Sequence, residues 1–168
     1  MNSNQTLKKW LAIYTKPQHE KAVQNALELK GFEVYLPVLK ERRKWADRKK
    51  WVEFPLFKCY LFVKTNSKYS IDILKTNGVV KIIKFGNNIA IIQNSIIDSL
   101  KLMIEGGYKP IPVDYFLKGD PVRVKEGPLK GLIGQVIRID NYNSLVFRID
   151  AVQHSVSVKI NQGFLETI

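Results

Sequence analysis

Residues 119–136 read GDPVRVKEGPLKGLIGQV, and this stretch decides how the C-terminal part of the chain folds. Val122 and Val124 alternate with Arg123 and Lys125, the period of a strand with one face buried. Gly127-Pro128 is a turn signal, since glycine reaches positive φ and proline presets its own φ. Gly131 follows, and Leu132–Asp140 reads as a second strand interrupted at Gly134, where a bulge is expected. After a turn at Asn141–Ser144, Leu145, Phe147 and Ile149 alternate with Val146 and Arg148. Ser155–Ile160 then alternates with Val156, Val158 and Ile160 inward. About five short strands in some 50 residues predict a small closed barrel over residues 118–168. Its β-branched residues at period 2 oppose a helical alternative.

Upstream, residues 107–117 hold two prolines and no period, and read as a linker. Residues 8–106 alternate strand and helix patterns. Trp10–Tyr14 is a buried strand. From His19 a helical face carries Ala22, Val23, Ala26 and Leu27, with Glu20 in the first turn and Gly31 closing it. Phe32–Leu39 is a strand until Pro37. Residues 40–54 are charged and aromatic and fit a projecting hairpin or mobile loop, with Ala46-Asp47 near its middle. Leu56–Val63 is the strongest strand of this half. A short helix at Lys68–Thr76 uses Ile71 and Leu74. Val79–Phe85 and Ile89–Ile92 are strands about a Gly86-Asn87-Asn88 turn. A helix capped by Asn94 carries Ile96, Leu100 and Ile104. The order is that of a split βαβ, ferredoxin-like domain, so the chain is α+β with a C-terminal SH3-like barrel.

The 168 residues carry 27 basic and 15 acidic groups, a net charge of +12. Residues 1–106 hold 19 basic and 9 acidic groups, net +10; residues 107–168 hold 8 and 6, net +2. Excess positive charge favours a polyanion, and its asymmetry suggests that the two halves meet different partners. No amphipathic basic helix or lipid signal supports a membrane surface. The lone Cys59 fits a reducing compartment, and with no apolar leader the protein is expected to be cytoplasmic.

The residues do not suggest an enzyme. His19 and His154 are too few for a histidine metal cluster, so no metal or cofactor is expected. Cys59 sits in an apolar strand and reads as a core residue. No nucleophile elbow, zinc-protease helix or phosphate loop is present. Binding features stand out instead. At period 2, Leu56, Lys58, Tyr60 and Phe62 share one strand face, and Phe57, Cys59, Leu61 and Val63 the other. The second face is apolar core. The first is either covered as well or an exposed aromatic docking patch. Residues 40–51 carry seven basic groups, Lys40, Arg42, Arg43, Lys44, Arg48, Lys49 and Lys50, with Trp45 and Trp51 among them. Cations meet phosphates and indoles stack on unpaired bases.

The run from Gly119 through Gly127, Gly131, Gly134 and Val136 resembles a KOW motif. Residues 10–105 resemble the N-terminal domain of NusG-type transcription elongation factors. The markers are Trp10-Leu11-Ala12-Ile13-Tyr14, Trp51–Phe54, Pro55–Val63, and Asn77-Gly78-Val79-Val80 leading to Phe85-Gly86. The resemblance implies a monomeric factor docked on the clamp helices of RNA polymerase through a patch including Tyr60, Phe62 and Phe85. It places the basic hairpin, with Arg42, Arg43, Lys44, Trp45, Arg48, Lys49 and Lys50, near DNA at the transcription bubble, and Lys16 as a further contact. It implies a KOW barrel that recruits Rho or a small-subunit ribosomal protein. The family's Phe-Pro-Gly-Tyr element is Phe57-Lys58-Cys59-Tyr60 here, a departure from the general factor, and the Pro-Leu-Phe-x-x-Tyr-Leu-Phe-Val form at 55–63 with Lys84-Phe85-Gly86 resembles the specialised RfaH and UpxY antiterminators. The resulting expectation is operon-specific antitermination. The alternatives are a general NusG role coupling polymerase to Rho or the ribosome, and a ribosome-associated RNA-binding KOW protein.

Overall fold

The computed structural model describes residues 7–45, 48–113, 119–139 and 142–168. In chain order the first elements are β1 (Lys9–Thr15), α1 (Glu20–Leu29), β2 (Glu33–Tyr35), β3 (Val38–Trp45), β4 (Arg48–Pro55), β5 (Tyr60–Thr65), α2 (Ser70–Leu74) and β6 (Val79–Ile82). Then come β7 (Lys84–Phe85), β8 (Asn88–Ile89), β9 (Ile91–Ile92), α3 (Asn94–Glu105), β10 (Ile111–Val113), β11 (Asp120–Val124), β12 (Ile133–Ile139), β13 (Tyr142–Ile149), β14 (His154–Lys159) and β15 (Leu165–Thr167). They fall into two compact units, residues 1–36 with 57–94 and residues 37–56 with 95–168.

The first unit is built on a sheet in the order β2-β5-β1-β6, with β9 also paired to β1. Every pairing is antiparallel. β1 and β2 are therefore parallel to each other with β5 inserted between them, the expected split βαβ with α1 as the crossover. β1 and β5 carry unbroken apolar runs, and Leu11, Ala12 and Ile13 are buried together with Leu61, Phe62 and Val63. Strands buried on both faces read as continuous rather than alternating apolar sequence. Helix α1 buries Val23 and Leu27, one turn apart, and closes through Gly31 N–H on the Glu28 carbonyl, as its sequence anticipated, while Ala26 is half-buried and Ala22, expected on the same face, is exposed. α2 differs from expectation. Its buried residue is Ile73, while Ile71 and Leu74 are exposed. A helix of five residues is placed by its flanking turns, so its sequence period carries little weight.

In the second unit β3 and β4 form a continuous antiparallel hairpin, pairing Val38 with Pro55 through to Trp45 with Arg48. Its expected turn at Ala46-Asp47 lies outside the described residues. α3 buries Ile97, Leu100 and Met103, so the expected stripe of Ile96, Leu100 and Ile104 is shifted around the helix. Ile96 and Ile104 sit half-buried at its margins.

The C-terminal strands form an all-antiparallel sheet in the order β10-β14-β13-β12-β11-β15. Val122, Val124, Leu145, Phe147, Ile149, Val156 and Val158 are buried, as the alternation required, and Leu129 is buried from the turn; Ile160, expected inward, is only half-buried because β14 ends at Lys159. Three details correct the sequence reading. The segment expected to be a pure linker contributes β10, which pairs with β14; residues 114–118 of that segment lie outside the description. Gly134 sits at no bulge: β12 runs in regular register against β11 and β13. A Cβ there would fall 2.6 Å from the Val146 carbonyl oxygen, so the glycine permits close backbone approach. Ser144, Val146, Ser155 and Ser157 are also buried, so β13 and β14 are covered on both faces. The expected turn at Asn141–Ser144 is described only from Tyr142, already within β13.

Among the described residues no helix is long and apolar enough to cross a membrane, and no cluster of His, Cys, Asp and Glu is placed to hold a metal ion.

Candidate protein and nucleic-acid interfaces

The strand that carries Tyr60 begins later than its sequence suggests. Pro55 ends β4, and β5 starts only at Tyr60. Between them the chain turns, and Cys59 adopts a left-handed φ of 63°. The turn breaks the assumed alternation from Leu56 to Val63. A buried carboxylate holds it: Glu20 Oε1 accepts the Cys59 N–H at 2.8 Å, and the Cys59 carbonyl accepts the Thr15 N–H at 2.8 Å. The left-handed residue lies at the glycine position of the Phe-Pro-Gly-Tyr element, so this chain places a cysteine where glycine is conformationally favoured.

Phe62 is not a surface residue. It is fully buried, with Phe57 edge-on at 6.2 Å and Tyr35 stacked at 6.3 Å. Of the two readings of this strand, coverage on both faces holds at Phe62. Tyr60 remains half-exposed. Tyr14, directly across on β1, meets it edge-on at 5.1 Å, and the Lys81 ammonium lies 5.6 Å from the Tyr14 ring. Burial first, then the neighbouring Tyr14 and Cys59, push the Tyr60 phenol above its ordinary pKa of 10.0. Phe85 is 48% exposed in the separate β7–β8 hairpin. No ring contact joins it to Tyr60 among the described residues. Around Tyr60 the aromatic surface is thus Tyr14 and Tyr60, with Lys81 over the Tyr14 ring; Phe85 and the 40% exposed Tyr69 lie in separate elements. Tyr14 and Lys81 were legible only once the strand register was known.

Lys16 is exposed just after β1, its N–H donating to the Gly78 carbonyl at 2.8 Å. The basic residues of the β3–β4 hairpin split between two faces. Directly opposed residues share a face, so Lys40 with Glu53, Arg42 with Trp51, and Lys44 with Lys49 form one side. Leu39 with Phe54, Glu41 with Val52, and Arg43 with Lys50 form the other, which also carries Arg48. Lys40 pairs with Glu53 at 3.0 Å. Arg43 is engaged by Glu41 at 3.5 Å and lies 5.6 Å from the Phe54 ring. Two like-charged pairs, Arg43/Lys50 and Lys44/Lys49, sit directly across the ladder, an arrangement that destabilises an isolated hairpin. Trp51 is 65% exposed. The Trp45 side chain lies outside the description.

The glycine-rich turn of the barrel is formed as its sequence suggested. Gly127 and Gly131 take φ of 83° and 89°, and the Gly131 N–H closes on the Val124 carbonyl at 2.7 Å. Val136 lies on β12 opposite Leu145.

A family model described as transcription termination factor nusG matches residues 8–101, and a KOW-motif model matches residues 118–147. Among solved structures the chain resembles NusG of Thermotoga maritima, described for its domain interaction, with 20% identity and a TM-score of 0.56 over 96% of this chain and 97% of that one. That likeness concerns the fold. Two conformations of an MjSpt4:Spt5 complex align over 95% of this chain and 97% and 96% of theirs, at 16% and 20% identity. Their TM-scores of 0.34 and 0.33 carry no argument.

Proposed function

Because the chain belongs to the NusG family of transcription factors, we propose that it binds the transcribing RNA polymerase and promotes readthrough, without chemistry of its own. The observation that carries this reading is the occurrence of both family modules in family order along one chain. The proposed domains are residues 8–106 and 118–168, joined through 107–117.

The docking surface on polymerase would be Tyr60 with Tyr14, and Phe85 as a second contact. Phe62 supports that surface from the core. The basic hairpin and Lys16 would face DNA near the bubble, as their charge favours. The barrel, with its small net charge, would recruit a protein, either Rho or a small-subunit ribosomal protein. Operon-specific action is favoured over a general role by the cysteine at position 59, since the chain departs there from the general pattern. The test is transcript profiling after deletion, together with readthrough in a purified transcription system. Readthrough confined to one operon supports the reading. Global changes in transcript ends, or dependence on Rho, would replace it with the general role. Co-purification with ribosomal subunits and not with polymerase would replace it with a ribosomal one.

A further inference from the structure

The basic hairpin does not account for the charge of the N-terminal half. Residues 40–54 hold seven basic and three acidic groups, +4 of the +10 carried by residues 1–106. Part of the remainder converges on one cavity of about 560 Å³ in the first unit. The register explains the convergence. Lys9 pairs with Thr65 and Glu33 with Lys64, so the starts of β1 and β2 and the end of β5 meet at one end of the sheet. Lys8 precedes β1, Lys30 lies in the turn into β2, Lys64 is in β5 and Lys75 follows α2; all four line the cavity. Among the described residues lining it, Asp72 is the one carboxylate.

The four cations are held differently. Lys30 is fixed across the cavity wall: its Nζ donates to the Asp72 carbonyl at 3.1 Å and to Oγ1 of the buried Thr76 at 2.7 Å. An ammonium has three N–H donors, so one of them remains for a ligand. Lys64 is half-buried, and the Glu33 carboxylate beside it stands 3.6 Å away. Lys8 and Lys75 are exposed, and among the described residues no carboxylate lies within ion-pair distance of either. Gathering these groups around one cavity opposes folding by mutual repulsion, which a bound polyanion offsets.

The cavity falls within the range of about 300–1,000 Å³ typical of small-molecule sites. Its wall is not only basic. Phe32 and Tyr69 line it as an edge-on pair with ring centroids 6.1 Å apart, and Tyr69 is 40% exposed. The Lys68 ammonium lies 4.8 Å from the Tyr69 ring and adds a cation beside it. Inorganic phosphate gains nothing from an aromatic wall and is repelled by Asp72. A ligand that joins phosphates to an aromatic ring and to hydroxyl or amino donors satisfies cations, rings and carboxylate together.

We infer that this cavity is a binding site for a nucleoside phosphate. The phosphates lie against Lys8, Lys64, Lys75 and the remaining Lys30 N–H, the base lies against the Tyr69 ring, and the Asp72 carboxylate accepts from a ribose hydroxyl or a base amine. The cavity is at the opposite end of β5 from Tyr60, about 16 Å away at the rise of a strand, so the site does not rest on the polymerase surface proposed above. Inorganic polyphosphate is the competing occupant.

Isothermal calorimetry on the full chain, without polymerase, uses ATP and GTP as probes, with tripolyphosphate as the base-free arm and adenosine as the phosphate-free arm. At least one nucleotide is expected to bind saturably and more tightly than either arm. Tyr69→Ala is expected to weaken nucleotide binding by about 5- to 150-fold, with Tyr69→Phe restoring most of it and tripolyphosphate unaffected by both. Lys8→Gln with Lys75→Gln is expected to weaken it by about 2- to 30-fold, while Lys125→Gln with Lys130→Gln, the same charge removed from the barrel, leaves it unchanged. Amide NMR shifts of the unaltered chain on adding the nucleotide give a second reading that needs no variant, and are expected at Gly31, Phe32, Thr65 and Asp72. No saturable nucleotide binding, tripolyphosphate binding as tightly as nucleotide, equal losses from the two lysine pairs, or shifts confined to residues 40–54 would overturn the inference. A chain that binds nucleotide here yet fails to promote readthrough refutes the proposed function and leaves this site intact.

Discussion

Glu20→Ala removes the carboxylate that organises the turn into β5. Glu20 is buried, and its Oε1 accepts the Cys59 N–H at 2.8 Å. A hydrogen bond to a charged group contributes about 1.5–3 kcal/mol, and its loss leaves a partly buried N–H without its acceptor. The expected destabilisation is therefore about 2 kcal/mol, with Glu20→Gln losing less because a neutral acceptor remains. Cys59→Gly moves the other way. It relieves a left-handed backbone cost of about 1–2 kcal/mol and incurs an entropic one of about 0.5–1 kcal/mol. A net gain of about 0.5 kcal/mol follows from that difference. Urea denaturation of the full chain, followed by far-UV circular dichroism with the slope monitored, gives each value. If Glu20→Ala changed stability by less than about 0.5 kcal/mol, the span of an ordinary surface substitution, the turn would not depend on this carboxylate.

Phe62→Ala should cost about 3–5 kcal/mol of stability, because a fully buried ring is removed. Phe85→Ala should cost under about 0.5 kcal/mol yet lower affinity for polymerase, and calorimetry with a pull-down on core enzyme separates the two. Gly134→Ala should destabilise the barrel by about 1–3 kcal/mol, since its Cβ would meet the Val146 carbonyl oxygen at 2.6 Å, and thermal unfolding reports it. Tyr60 holds its proton more tightly folded than unfolded. Its contribution is therefore complete below pH 10.0 and is lost as pH rises through the higher folded value. Tyr60→Phe should accordingly flatten the alkaline decline in stability seen by urea titration as pH rises above 10.0, with tyrosinate absorbance as the direct check.

Periodicity was a good guide where one face is buried and the other wet, and a poor one where both are covered. The alternation of Val122 with Arg123 located β11, and the charge run from Lys40 to Lys50 located the hairpin. In the middle of β5, β13 and β14 apolar or small residues stand on both faces, as at Leu61–Val63, Ser144–Phe147 and Ser155–Val158, so period 2 could not separate core from surface there. The assumed alternation from Leu56 to Tyr60 failed for a different reason: a left-handed residue at Cys59 turns the chain before β5 begins, and cysteine gives no warning of positive φ as glycine would. α2 was misread because turns, not its own period, orient so short a helix. The division of the hairpin's cations between two faces needed the register, which fixes which residues stand opposite one another.

The central claim is that this chain acts on the transcribing polymerase through its N-terminal module. Single-round transcription with purified polymerase, on a template carrying the native leader and a downstream terminator, tests it most directly. The account predicts that added protein raises readthrough and that Tyr14→Ala with Tyr60→Ala removes the effect while the fold persists. Unchanged readthrough on every template, or increased termination, would contradict it.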